Sequence, residues 1–213
     1  MIIAGFAGVG KTAFARMHPD EAIDFVCMPY KYELDDSLDE DESCKANPDN
    51  VLRPDWPFNY VDAIEKVKSD YKYVVIPSDT IVLSLLRERG IPFIVVRPLR
   101  GAKEEYRRRF IERGNSEDFI EVFIDHWDSF MDSLERVKGC VQITTDLDEY
   151  LSDVVDNSDI LAVTMVIDAM ELLIASGSLE VVKEDGFTKL NIKSDNWDWL
   201  KIDEDSQQEE QLK

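Results

Sequence analysis

Four residues near the start of the chain have the types and the spacing of a phosphate-binding loop. The sequence begins MIIAGFAGVGKT, in which Gly5, Gly10, Lys11 and Thr12 match the P-loop pattern G-x-x-x-x-G-K-[ST]. Glycines let backbone N–H groups close around phosphate oxygens, the lysine reaches the β- and γ-phosphates, and the hydroxyl holds Mg²⁺. We therefore expect a nucleoside triphosphate with Mg²⁺ to bind here. The residues expected to line it are Gly5, Ala7, Gly8, Val9, Gly10, Lys11, Thr12 and Ala13.

The surroundings of this motif predict a strand, a loop and a helix. The apolar run 1–4 precedes the loop, and the helix-forming run 12–17 follows it and stops at Pro19. A P-loop needs this context, because the helix that follows it aims its positive end at the anion. The alternative interpretation is a glycine-rich turn that binds nothing.

A carboxylate interrupts the second predicted strand, residues 22–26. Asp24 is the acidic residue of this otherwise apolar run. Beside a P-loop it would act as a base for a substrate hydroxyl or as an outer partner of Mg²⁺. The other interpretation, in which Asp24 only ends the strand at the surface, stays open.

A second candidate site is a cluster of basic residues. Positions 97–113 hold seven of the 24 lysines and arginines of a chain whose net charge is −21. Arg109 and Arg113 are four residues apart and would share one face of a helix. Arginine suits polyphosphate because its planar fork binds oxygens in pairs and keeps its proton. The alternative is a solvated helix face paired with neighbouring glutamates.

The remaining elements of the first 150 residues alternate between strand and helix. This alternation predicts a parallel sheet covered by helices on both faces. The predicted strands after residue 70 are 73–76, 91–96 and 141–144. The predicted helices are 79–90 with Ser78 as N-cap, one helix carrying the apolar stripe Phe119 to Leu134, and a short helix 146–151.

With these residues in view, the chain resembles the P-loop kinases that act on nucleosides and nucleoside monophosphates, the adenylate-kinase-like group. The likeness is strongest to small nucleotide-kinase-like proteins of the kind found in phages and bacteria. It covers roughly residues 1–150. It is carried by Gly5–Thr12, Arg53–Pro57, Pro98–Arg100, Arg107–Gly114 and the helix Phe119–Trp127.

The resemblance implies a three-layer α/β/α fold with a five-stranded parallel sheet, ATP and Mg²⁺ at the P-loop, and an arginine-rich lid at 98–114. It implies transfer of the γ-phosphoryl group of ATP to a nucleoside or nucleoside monophosphate. The catalytic residues would be Lys11, Arg109, Arg113 and Asp24, with Thr12 on the metal. The acceptor would be bound by Arg53 and Arg107. An ATP-binding module that acts through protein partners and an ATPase are the alternatives.

The aromatic residues that follow Arg53 have two interpretations. Between the second and third strands, Trp56 and Phe58 would stack on an acceptor base while Arg53 holds its phosphate. Packing inside the protein is the other interpretation of both aromatic residues.

The composition excludes several classes of partner. A net charge of −21 argues against nucleic acid and against an anionic membrane surface, both of which need clustered cations. Three cysteines without a C-x-x-C pair and only two histidines indicate no zinc site. The longest apolar stretch, 160–167, is too short for a membrane span, and no secretory signal is apparent, so we expect a cytoplasmic protein.

The organisation of the chain follows from these patterns. A P-loop kinase-like domain is expected at 1–153, with an acidic, solvated insert at 33–50. An appendage at 154–202 contains an apolar helix, 160–175, and a hairpin of strands 179–184 and 187–192 around Asp185-Gly186. The appendage could bind a protein partner. An acidic tail, expected to be disordered, follows at 203–213.

Overall fold

A computed structural model describes residues 1–33 and 51–155 in full, and residues 179–184 and 187–192 as backbone. The chain divides into two compact units, residues 1–160 and residues 161–213. The predicted insert beyond Glu33, the predicted helix 160–175 and the predicted tail 203–213 lie outside the described residues. The domain boundaries therefore stay predictions.

The first unit is built on a five-stranded sheet in which every pair of neighbouring strands is parallel. This confirms the predicted α/β class and the predicted sheet. In space the strands follow the order β2-β3-β1-β4-β5. In chain order they are β1 (Ile2–Gly5), β2 (Ala22–Asp24), β3 (Tyr73–Pro77), β4 (Phe93–Pro98) and β5 (Val141–Thr145).

Eight α-helices of the described residues accompany the sheet. They are α1 (Lys11–Met17), α2 (Met28–Lys31), α3 (Phe58–Val67), α4 (Thr80–Glu88), α5 (Lys103–Glu112), α6 (Glu117–Asp125), α7 (Trp127–Glu135) and α8 (Leu151–Val155).

The central strand β1 is apolar at every position because the sheet buries both of its faces. Ala4 lies opposite Ile76 on one side and Val95 on the other, and all three are inaccessible to solvent. These residues belong to a core formed with α3, α4, α5, α6 and α7. Ile3 points the other way, into a second core with α1 and α8. Helices therefore contribute to the cores on both faces, as predicted.

The helix predicted across 119–134 is divided in two at His126, which ends α6 and begins α7. The predicted stripe still packs together in part, with Phe119 and Phe123 stacked at 4.4 Å between ring centroids. Val122, however, is half exposed. Because the helix is interrupted at His126, the apolar residues before and after it do not follow a single helical period.

Two further predictions about helix ends are wrong. Asp79, not Ser78, caps α4, since its Oδ1 accepts from the N–H of Ile81 at 3.0 Å. The backbone N–H of Ser78 instead donates to the carbonyl of Gly5, which keeps Ser78 beside the sheet. The short helix predicted at 146–151 begins only at Leu151, and residues 146–150 form a loop.

The described part of the second unit is a pair of antiparallel strands, β6 (Leu179–Glu184) and β7 (Phe187–Ile192). Glu184 lies opposite Phe187, which confirms the hairpin predicted from Asp185-Gly186. Across the described residues of both units, no helix is both long enough and apolar enough for a bilayer crossing. The cytoplasmic location stays a prediction.

Candidate functional site

The phosphate-binding motif forms the loop between β1 and α1. Gly8 and Gly10 have φ angles of 82° and 99°, a region that side chains other than glycine rarely adopt. A Cβ atom on Gly8 would also lie 2.9 Å from the ring of Phe110. The loop therefore needs glycine at both positions, for conformation and, at Gly8, also for space. The strand, loop and helix occur in the predicted order.

Lys11 folds back over this loop. Its Nζ donates to the carbonyls of Gly5 and Phe6 at 2.9 and 3.0 Å. Burial lowers the pKa of Lys11 to about 8, Asp24 acts in the opposite direction, and the positive charge of Arg113 lowers it further. An anion bound at the loop would stabilise the charged form of Lys11 and raise its pKa again.

Thr12 and Asp24 come together at the carboxyl edge of the sheet. The Thr12 hydroxyl donates to Oδ2 of Asp24 at 2.6 Å. This contact joins the first turn of α1 to the last residue of β2, and the role of Asp24 stays a prediction. Nowhere in residues 1–33 and 51–155 do three His, Cys, Asp or Glu side chains converge on a metal-sized site. Mg²⁺ commonly binds one or two protein oxygens and completes its shell with substrate phosphates and water, so this pair would suffice.

The arginines of α5 and its C-cap have very different environments. Arg107 pairs with Glu104 at 3.4 Å on the surface. Arg108 pairs with two glutamates, as the solvated-face interpretation required. Arg113 is exposed and forms no ion pair with the residues that the structure describes, yet its charge reaches Lys11. Among the arginines from 107 to 113, Arg113 is therefore the one most available to a phosphate near Lys11.

Arg109 is buried, with a side chain that is 5% exposed. Its Nε donates to Glu105 at 2.9 Å, Nη1 donates to the carbonyl of Glu149, and Nη2 donates to the carbonyls of Leu147 and Glu149. Each guanidinium nitrogen of Arg109 donates to a protein oxygen in this structure, so Arg109 would have to give up some of these bonds to reach a phosphate. The transition-state role predicted for Arg109 stays a prediction. These bonds also explain why residues 146–150 form a loop, since Arg109 takes carbonyls that a helix would use.

The loop that Arg109 holds lies directly against the P-loop. The N–H of Leu151 donates to the carbonyl of Val9 at 2.8 Å. The ring of Tyr150 lies over Gly10, where a Cβ atom would meet it at 3.3 Å. Sequence reasoning missed Tyr150, because the loop was interpreted as a helix and nothing in the sequence pairs it with Gly10.

A cavity of about 520 Å³ opens where the chain leaves β2 next to Asp24. Arg53 is its charged residue and pairs loosely with Asp55 at 3.3 Å, with 41% of the arginine side chain exposed. The amide of Asn59 is already bonded to Tyr30 and Asp55. The lining residues are Phe25, Val26, Pro29, Tyr30, Arg53 and Asn59.

The other residues of this edge are structural. Trp56 is buried and stacks on Tyr60, so packing is the correct interpretation for it, whereas Phe58 is exposed. Asp79, which follows β3, caps α4 and pairs with Lys31 at 2.9 Å. Both carboxylate oxygens of Asp79 are therefore already occupied, one by the N–H of Ile81 and one by Lys31.

Comparison of the sequence with models of known protein families gave no match, and comparison with curated protein sequences gave none. The function has therefore to be inferred from the geometry of Lys11, Thr12, Asp24 and the adjoining cavity.

Proposed function

We propose that this chain is an ATP-dependent phosphotransferase of the P-loop kinase type. It transfers the γ-phosphoryl group to a small acceptor, a nucleoside or a nucleoside monophosphate. The observation that carries the proposal is the contact between Thr12 and Asp24, which joins the loop motif to the end of β2, and the next residue, Phe25, lines the cavity that contains Arg53. The strand order β2-β3-β1-β4-β5 supports it by setting the P-loop after the central strand.

ATP binds with its phosphates in the loop 5–10. Lys11 gives up its hydrogen bonds to the carbonyls of Gly5 and Phe6 and binds the β- and γ-phosphates instead. Burial destabilises the charged form of Lys11 and lowers its pKa, and a bound anion stabilises that charged form again. The Thr12 hydroxyl, with Asp24 beside it, would hold Mg²⁺, which would neutralise phosphate charge. The 2.6 Å hydrogen bond between these side chains favours the metal role of Asp24 over the role of general base.

Transfer follows when an acceptor oxygen attacks the γ-phosphorus in line with the departing ADP. Catalysis consists mainly of positioning and charge neutralisation, because the transferred group needs little covalent help. Arg113 neutralises the charge that develops on the transferred oxygens. Its freedom from ion pairs with described residues suits this role.

The acceptor occupies the cavity next to Asp24. Its volume of about 520 Å³ is suited to a small metabolite. Phe25 and Tyr30 offer aromatic surface to a planar base, and Arg53 offers a guanidinium group to a monophosphate. Arg107 is engaged with Glu104 on α5, and its predicted contribution to acceptor binding stays a prediction.

The test is an assay of ADP formation with Mg²⁺–ATP and a panel of nucleosides and nucleoside monophosphates. Acceptors are first ranked by thermal shift, since a ligand of the folded state raises its stability by mass action. We expect ADP to form only with an acceptor, and Lys11→Ala to form none. ADP formation at the same rate without acceptor would identify an ATPase. ATP binding without turnover on any acceptor would identify a binding module.

A further inference from the structure

One wall of the candidate acceptor cavity is a single short segment of the chain, residues 25–30. This segment leads from the end of β2 into α2. It supplies four of the six lining residues, which are Phe25, Val26, Pro29 and Tyr30. The position of this segment therefore sets the shape of the cavity.

Helix α3 holds the cavity wall by two hydrogen bonds to its main chain. The Tyr60 hydroxyl donates to the carbonyl of Phe25, and the side-chain amide of Asn59 donates to the carbonyl of Tyr30 at 2.7 Å. The two donors are consecutive residues of α3, and the two acceptors are the first and the last residue of the segment. The N–H of Phe25 also donates to the carbonyl of Val75 in β3 at 2.8 Å. Both ends of the wall are therefore held from outside the segment.

Tyr60 holds Phe25 through its ring as well as through its hydroxyl. The two rings are nearly parallel, at an angle of 8°, and their centroids are 5.4 Å apart. Tyr60 is inaccessible to solvent, so it can affect a ligand in the cavity only through the residues that it contacts. Burial raises the pKa of the Tyr60 hydroxyl well above its ordinary value, so this group keeps the proton that it donates.

We propose that Tyr60 is a positioning residue for the acceptor, because its hydroxyl fixes the carbonyl of Phe25 and keeps the cavity wall in the geometry that binds the acceptor. The inference rests on the proposed function and adds to it the group that preorganises the acceptor side. A wall that is already fixed loses less conformational freedom when a ligand binds. Since the hydroxyl is bonded to Phe25 and not to the loop 5–12, its loss should weaken the acceptor and spare ATP.

The test compares two variants of the full chain, each of which removes one hydroxyl from a buried ring. Tyr60→Phe removes the hydrogen bond to Phe25 and keeps the ring. Tyr73→Phe is the matched control, because Tyr73 is also buried but belongs to the core on the other face of the sheet.

Calorimetric titrations with AMP, GMP, CMP, UMP and their nucleosides measure the Kd on the acceptor side, and a titration with Mg²⁺–ATP measures it on the donor side. ADP formation gives the corresponding KM values. We expect Tyr60→Phe to raise the Kd and the KM of the acceptor by roughly five-fold, the effect of about one net hydrogen bond. The Kd for ATP should stay at the value of the parent chain, and Tyr73→Phe should change neither affinity.

The outcomes separate this inference from the proposed function. Unchanged acceptor affinity in Tyr60→Phe would overturn the positioning role and leave the proposed function intact. An equal loss of ATP affinity, or the same loss in Tyr73→Phe, would overturn it too, because the lost hydroxyl would then act on the whole protein. An acceptor that binds without ADP formation would overturn phosphoryl transfer, while its Kd would still decide the role of Tyr60.

If the parent chain binds none of the monophosphates or nucleosides, the proposed acceptor site fails and this inference fails with it. Thermal unfolding of both variants checks that the fold is kept.

Discussion

The proposed donor side of the candidate site, the loop 5–12 with its neighbours, and the proposed acceptor side, the cavity lined by Phe25 and Arg53, are held together by different means. On the donor side, Lys11 and Arg109 bind main-chain carbonyls, and the loop before α8 is bonded to Val9. On the acceptor side, aromatic packing dominates, with Phe25 stacked on Tyr60 at 5.4 Å, and Arg53 has one long, exposed contact.

The difference suits two ligands with different demands. A triphosphate needs a closely fitting, preorganised set of donors and cations, which hydrogen bonds to main chain provide. A small acceptor needs shape and one or two polar groups, which a cavity lined by rings and one arginine provides. The following predictions test this contrast, from the largest expected effect to the smallest.

Lys11→Ala tests the donor side most directly. We expect acceptor-dependent ADP formation to fall by on the order of a thousand-fold or more, because the β- and γ-phosphates lose their cation. The free energy of unfolding should not fall, since the folded state keeps this ammonium group in surroundings that lower its pKa. Steady-state kinetics and urea unfolding measure the two quantities. Turnover at the parent rate would overturn the assignment of the P-loop.

Arg109→Ala and Arg113→Ala form a matched pair one helical turn apart. Arg109→Ala should reduce the free energy of unfolding by about 3 kcal/mol or more, because the carbonyls of Leu147 and Glu149 lose their charged donor, while Glu105 keeps only its pairing with Arg108. Arg113→Ala should change stability by less than about 0.5 kcal/mol, as is usual for an exposed side chain, and lower kcat by roughly a hundred-fold.

Urea unfolding and kcat together decide between the roles of these two arginines. If Arg109→Ala keeps the stability of the parent chain but loses kcat, the catalytic role predicted for Arg109 is supported. If Arg113→Ala retains the parent kcat, Arg113 is not the residue that neutralises the transferred group.

Arg53→Ala tests the acceptor side. We expect the KM for a monophosphate acceptor to rise by roughly ten-fold, the effect of losing one hydrogen-bonded charge, with the KM for ATP unchanged. Asp55→Ala is the control, because it removes the partner of Arg53 and keeps the guanidinium group. An equal rise in both KM values would show that Arg53 does not belong to the acceptor side alone.

The affinity for ATP should depend on pH through Lys11. The free protein holds this ammonium group with a pKa of about 8, and bound phosphate raises that pKa, so binding takes up a proton above pH 8. Affinity should be constant below about pH 7 and fall by roughly ten-fold between pH 7 and pH 9. Calorimetry at each pH measures it. A flat profile up to pH 9 would show that Lys11 keeps its proton without the ligand.

Local pattern was sufficient for much of the fold. The sequence pattern predicted three of the five strands, β1, β3 and β5, to within one residue at each end. The strand predicted at 91–96 begins and ends two residues before β4, and the run predicted for β2 is two residues longer than the strand of the structure. The predicted order of strand, glycine-rich loop and helix over residues 1–17 was confirmed, because it depends on residue types at fixed local spacing. The prediction of Ser78 as the N-cap of α4 was wrong, and Asp79 is the cap. The backbone hydrogen bond from Ser78 to Gly5 joins residues far apart in the chain, so local sequence does not show it.

The sequence by itself determined the parallel sheet, through the alternation of strands and helices, and the glycine-rich loop after β1, through residue types at fixed spacing. Tertiary structure alone decided which arginine is buried and which is exposed. Arg109 and Arg113 are the same residue type on one helix, but carbonyls some forty residues later engage only the first. The same long-range packing set Tyr150 close to Gly10, and such contacts depend on how distant segments meet in the folded chain.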